Sequence, residues 1–113
     1  MAKDDYHVIV YQILAYLYTQ LKAGDPVDPE LLKPESTYLN INERYWTYIM
    51  ENLLRDELVT GIKITKPWGK EVIVMGLEDA MITPRGIEYL TDNSFLNKAK
   101  GFLKDVKAIV PFV

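Results

Sequence analysis

Residues 39–90 decide the fold, and they read LNINERYWTYIMENLLRDELVTGIKITKPWGKEVIVMGLEDAMITPRGIEYL. The stretch predicts an amphipathic helix over about 41–57, because apolar side chains recur there at three- and four-residue steps. A β-hairpin over about 61–76 follows, with Pro67-Trp68-Gly69 as its turn. Thr83-Pro84 then supplies an N-cap and a first-turn proline, so a strand turns into a helix there. This order predicts an α+β winged helix-turn-helix, a fold often used to hold DNA.

The residues before this stretch predict further helices. Residues 4–23 carry apolar side chains around most of a helical cylinder, so we expect this helix to be packed on two sides. Asp28-Pro29-Glu30 opens a second helix, which must be short because Pro34 disfavours helical geometry at Lys33. Asn40 and Asn42 are alternative caps for the helix that follows.

The residues after the stretch predict a last helix over about 94–109, with an apolar stripe and four lysines mostly off it. At 113 residues the chain fits one domain, so we expect residues 1–113 to form a single winged-helix domain. It would contain three helices, the hairpin as wing, and one or two C-terminal helices.

Composition argues against several classes of function. The chain has no cysteine and one histidine, and its glycines form no phosphate-binding pattern. We therefore expect no enzyme activity, no metal, no cofactor and no small-molecule substrate. No apolar run approaches the roughly 20 residues of a membrane span, and the first residues lack a secretory signal. The expected location is the bacterial cytoplasm.

The chain resembles the YjcQ family. The resemblance rests on Leu39-Asn40-Ile41-Asn42, on residues 53–61, on the corner Ile82-Thr83-Pro84-Arg85-Gly86-Ile87-Glu88-Tyr89-Leu90, and on Asp92-Asn93-Ser94 with the lysine-rich segment after it. It implies a winged-helix fold and an origin in phages or prophages. It implies no established activity.

A DNA-binding hypothesis follows from the helix over 41–57 and from the wing. If that helix enters a major groove, its outer face offers side chains for bases and phosphates, and the wing offers lysines for the backbone. The candidates are Arg44, Thr47, Tyr48, Asn52, Arg55, Lys63, Lys66 and Lys70. Trp68 at the hairpin tip is either a tucked hydrophobic lid or a contact residue.

Charge opposes this hypothesis in part. The chain has a net charge of −3, and residues 1–60 hold ten acids against five bases. The helix over 41–57 itself carries four acids and two arginines. A protein that binds DNA chiefly through its phosphates is usually more basic than this chain. An ordinary solvated helix face is the competing explanation for the same side chains.

A second hypothesis is a protein–protein adaptor or a homodimer that uses the same fold without DNA. Leftover apolar stripes on helices commonly pair between chains. The candidate interface residues are Tyr11 and Tyr18 on the first helix and Phe102 and Val106 on the last. Packing of the last helix along the first within one chain would use the same residues. The first hypothesis thus predicts double-stranded DNA as the partner. The second predicts either a second copy of this chain or a phage or host protein.

Overall fold

The computed structural model describes residues 6–69 and 72–91. Within these ranges the chain is an α+β protein, and this class is confirmed. The elements in chain order are α1 (Tyr6–Ala23), a 3-10 turn (Pro29–Leu32), α2 (Glu43–Arg55), β1 (Val59–Thr60), β2 (Lys63–Thr65), β3 (Ile73–Met75), β4 (Met81–Ile82) and α3 (Pro84–Thr91). The predicted last helix over 94–109 lies outside the described residues.

Helix α1 is the centre of the core. Its residues 8–10 and 12–17 are all buried, which confirms the prediction of a helix packed on more than one side. The buried side chain of Gln12 donates from Nε2 to the Tyr38 carbonyl at 3.1 Å, and the Tyr38 hydroxyl donates back to the Gln12 carbonyl. This reciprocal pair ties the loop before α2 to the middle of α1.

The second helix predicted from Asp28-Pro29-Glu30 is a single 3-10 turn over Pro29–Leu32. The Asp28 carboxylate accepts the Glu30 N–H at 3.0 Å, as predicted for a cap. Lys33 is extended (φ −78°, ψ 153°), because Pro34 follows it. Two α-helices and one 3-10 turn therefore stand before the hairpin, where the sequence predicted three helices.

Helix α2 uses Asn42 as its cap. The Asn42 side chain accepts the Tyr45 N–H at 2.8 Å, whereas Asn40 has a left-handed backbone (φ 48°) and caps nothing among the described residues. The predicted inner face is confirmed in the side chains that are buried, namely Trp46, Ile49, Met50 and Leu53. The Trp46 indole N–H also donates to the Leu32 carbonyl at 2.8 Å, which fixes the 3-10 turn against α2.

Four short strands form two antiparallel pairs. Strand β1 pairs with β4, and β2 pairs with β3 to make the predicted hairpin within residues 61–76. The inner face of the hairpin presents half-buried Ile64 and Val74 to the core. Its outer face is exposed and consists of Lys63, Thr65, Ile73 and Met75.

The corner between β4 and α3 is bonded to the end of α2. Thr83 Oγ1 accepts the Gly86 N–H at 3.0 Å and donates to the Glu57 carbonyl at 2.6 Å. The Thr83 N–H donates to the Leu58 carbonyl at 3.0 Å. A Cβ on Gly86 would lie 2.4 Å from that same Leu58 oxygen, so only glycine admits this close backbone approach. The corner thereby fixes α3 and the base of the hairpin relative to α2.

Candidate nucleic-acid interface

An open groove separates the exposed face of α2 from the hairpin. Its volume is about 710 Å³, and its lining is Glu43, Arg44, Thr47, Tyr48, Glu51, Lys66 and Val72. The helical residues recur at three- and four-residue steps and so form one stripe along α2. Four of the eight side chains predicted to contact DNA, three from the helix and one from the wing, are brought together here.

The charge of this groove is balanced. Arg44 and Lys66 face it together with Glu43 and Glu51. Glu43 is held at this place because it is the first residue of α2, directly after the Asn42 cap. Any phosphate that enters the groove meets two cations and two carboxylates, so attraction depends on which of them lies nearest to it.

Asn52 and Arg55 lie further along α2 and do not line the groove. The Asn52 amide donates to the Tyr48 carbonyl at 2.9 Å, and its oxygen accepts from Arg55 Nη1 at 3.2 Å. The amide is therefore oriented by its own helix. To read a base, Asn52 would have to give up these bonds, whereas Arg55 keeps further N–H donors for a phosphate.

Tyr48 is held in place by a cluster of aromatic side chains. It is 59% exposed, yet its ring meets that of Tyr6 edge-on at 6.1 Å. Tyr6 in turn meets His7 at 5.5 Å, and His7 Nδ1 lies 3.2 Å from the Tyr89 hydroxyl. Tyr48 can therefore offer a hydroxyl and a ring face to a ligand with little loss of side-chain entropy.

Burial raises the pKa of two tyrosines of this cluster, Tyr6 and Tyr89. The pKa of Tyr6 is raised above its usual value by burial first, and then by the negative charge of Asp56 and by Tyr48. The pKa of Tyr89 is raised for the same leading reason, with Tyr6 and Asp56 adding to it. Both phenols are neutral at physiological pH, so they act as hydrogen-bonding and packing groups.

The described part of the hairpin exposes two lysines and a tryptophan to solvent. Lys63 and Lys66 are exposed, and Lys70 lies outside the described residues. Trp68 is 93% exposed. The interpretation of Trp68 as a tucked lid is therefore wrong, because a lid would bury the indole.

The candidate interface residues of the second hypothesis are only partly described. Tyr11 and Tyr18 are half-buried on α1, with the Lys22 ammonium 5.0 Å from the centre of the Tyr18 ring. Burial raises the pKa of Tyr11. Phe102 and Val106 lie outside the described residues, so their pairing with α1 stays a prediction.

The structure adds a second groove that the sequence did not indicate. It has a volume of about 300 Å³ and lies between the end of α1 and the turn before β4. Leu21 and Met81, which line it, are 45% and 48% exposed, and the carboxylates of Asp25, Glu78 and Asp79 stand around them. Residues 21 and 81 are sixty positions apart, so no local pattern could have joined them.

Among the described residues, no group of three or more His, Cys, Asp or Glu side chains is arranged to hold a metal ion. None of the described helices combines the length and the apolar character needed to cross a bilayer.

Comparison with known families identifies the chain. The family model described as "YjcQ protein" matches residues 11–109, and the chain belongs to this family. The resemblance read from the corner and from the helix before it is thus confirmed. Comparison with curated proteins and with solved structures finds no match.

Proposed function

We propose that this protein is a winged-helix protein that binds double-stranded DNA, with α2 as the recognition helix and the β2–β3 hairpin as the wing. It would act as a small accessory regulator of transcription in the cytoplasm of a bacterium that carries a phage or prophage. The order helix, 3-10 turn, helix, hairpin supports the fold assignment. The family resemblance supports the phage setting.

One observation carries the proposal. The groove joins Arg44, Thr47 and Tyr48 of α2 to Lys66 of the hairpin, although about twenty residues separate them along the chain. A helix face that offers a cation, a hydroxyl and an aromatic ring suits base edges and phosphates in a major groove. A lysine across the groove suits the adjacent backbone.

The test is to measure binding of the protein to duplex DNA by fluorescence anisotropy, at low and at near-physiological salt. The double variant Arg44→Ala/Lys66→Ala should bind more weakly, and the slope of log K against log salt should fall by about two units, because two phosphate contacts are lost. The matched control Lys22→Ala/Lys33→Ala removes the same charge from residues that do not line the groove. An equal loss in both double variants would mean that only net charge matters, and the groove assignment would be wrong.

A second candidate is a protein–protein adaptor, either as a homodimer or with a phage or host partner. It is favoured by the second groove, where exposed Leu21 and Met81 stand among three carboxylates. That arrangement suits an apolar side chain on a basic segment. The same titration separates the two candidates, because an adaptor shows no DNA binding even at low salt.

A further inference from the structure

The tip of the hairpin places a tryptophan where a glycine is usual. The Gly69 N–H donates to the Lys66 carbonyl at 3.1 Å, which closes a four-residue turn with Pro67 and Trp68 at its centre. Trp68 has φ 59° and ψ 23°, in the left-handed region. Proline followed by a left-handed residue is the pattern of a type II turn, in which the second central position favours glycine or asparagine. A bulky aromatic residue there is strained.

The strained residue is also the most exposed large hydrophobic side chain of the described part of the chain. Trp68 is 93% exposed, whereas the other tryptophan, Trp46, is 7% exposed and hydrogen-bonded. The backbone conformation of Trp68 therefore does not stabilise the fold, and neither does its exposed side chain. A residue that is unfavourable in both respects is a candidate for contact with a ligand.

The charge around the tip indicates which ligand. Residues 63–72 contain three lysines against one acid, Glu71, and two of these lysines, Lys63 and Lys66, are exposed. Helix α2, by contrast, carries two acids, Glu43 and Glu51, against its two arginines. Exposed cations beside a flat aromatic ring suit nucleic acid, since the cations bind phosphates and the ring stacks on a base. Lys66 lies two residues before Trp68, so both can reach one site on a duplex.

We propose that Trp68 is a wedge that inserts its indole ring between two base pairs from the minor groove, while Lys66 binds the adjacent phosphate. The preferred ligand is then a duplex with an easily unstacked step, such as a mismatch or a flexible pyrimidine–purine step. This inference rests on the proposed function and adds to it a class of DNA that the protein prefers.

The test uses the full chain and two duplexes that differ only by one central mismatch. The wild-type protein should bind the mismatched duplex about tenfold more tightly than the matched one, because stacking of one base on an aromatic side chain is worth about that factor. Trp68→Ala should lose this preference, so that its affinities for the matched and the mismatched duplex agree within about twofold. Trp68→Phe should retain part of the preference, because a smaller ring still stacks.

The same complexes give a second readout from tryptophan fluorescence. The chain has two tryptophans, and only Trp68 is open to solvent. Acrylamide should quench Trp68 in the free protein, and the mismatched duplex should protect it. The Trp68→Phe variant reports the signal of buried Trp46 alone and is the background.

Two outcomes would overturn the inference, and they are distinguishable. If the wild-type protein binds both duplexes equally and Trp68 stays open to acrylamide in the complexes, the wedge is wrong and the proposed DNA binding stands. If no duplex binds at low salt, the proposed function fails as well. Melting curves of all the variants verify that each is folded.

Discussion

The corner at residues 83–86 and the hairpin tip at residues 67–69 are both tight turns, yet they are built in opposite ways. At the corner the hydrogen bonds and the packing agree: a threonine caps, a proline starts the helix, and Gly86, although it has a low helix propensity, admits a backbone oxygen. At the tip, Trp68 occupies a left-handed position and leaves its ring in solvent.

The difference indicates which turn serves the fold and which serves a ligand. Turns in which propensity, hydrogen bonding and packing agree are typical of structural positions, whereas local violations concentrate at functional sites. Substitutions at the corner should therefore lower the free energy of unfolding, and substitutions of Trp68 at the tip should leave it unchanged or raise it.

The largest effect is expected at Gly86. In Gly86→Ala the new Cβ would lie 2.4 Å from the Leu58 carbonyl oxygen, which also accepts the Thr83 N–H and cannot easily move. The steric clash should cost about 3 kcal/mol, and the higher helix propensity of alanine should recover about 1 kcal/mol. Urea denaturation should therefore show that the free energy of unfolding falls by about 2 kcal/mol.

The matched control for this prediction is Gly69→Ala at the tip. Gly69 has φ +69°, but a Cβ there would meet nothing within 4 Å. Gly69→Ala should therefore lower the free energy of unfolding by only about 1 kcal/mol, which is the strain of an alanine in the left-handed region. If Gly69→Ala were as destabilising as Gly86→Ala, the corner would not be more tightly packed than the tip.

A smaller loss is expected when the hydroxyl of Thr83 is removed. Thr83→Val keeps the shape of the side chain but leaves the Gly86 N–H and the Glu57 carbonyl without this partner. Loss of an N-cap costs about 1 kcal/mol, and thermal or urea unfolding should record it. Thr83→Ser retains the hydroxyl and should stay within about 0.5 kcal/mol of the wild-type protein. Equal losses in both variants would show that the methyl group matters instead.

The agreement or disagreement of local preferences with packing also explains which parts of the fold and of the groove could be predicted from the sequence. The corner, the inner face of α2 and the hairpin were predictable, because each depends on spacing, caps and turn residues that lie close together along the chain. The groove was only partly predictable. Arg44 and Tyr48 follow from helical periodicity, but the position of Lys66 and Val72 across from them depends on how the hairpin packs. The hydrogen bonds that occupy Asn52 are local, at i−4 and i+3 along α2, so helical spacing was a signal for them that the sequence analysis did not use.

The second helix was correctly predicted to be short, but the sequence did not indicate that it would be a 3-10 turn. Asp28, Pro29 and Glu30 are good starting residues, and they do start a helical turn. Lys33 is extended before Pro34, and the chain continues through a loop that Tyr38 anchors to Gln12. Pro34 therefore ends this helix locally, and the hydrogen bonds between Tyr38 and Gln12 fix the course of the loop after it.

The smallest effect, and the one of opposite sign, is expected at Trp68. Trp68→Gly removes the cost of a left-handed tryptophan, about 1–2 kcal/mol, and adds the entropy of a more flexible unfolded chain, about 0.5–1 kcal/mol. The net result should be a gain of about 0.5 kcal/mol in the free energy of unfolding, measured by urea denaturation with circular dichroism as the probe. Trp68→Ala keeps the left-handed strain and should change stability by only a few tenths of a kcal/mol.

A loss of stability in Trp68→Gly would mean that the indole packs on the folded protein, and the tip would then be structural. A gain, together with loss of the preference for mismatched DNA, would mean that strain is retained at the tip because the ring binds a ligand.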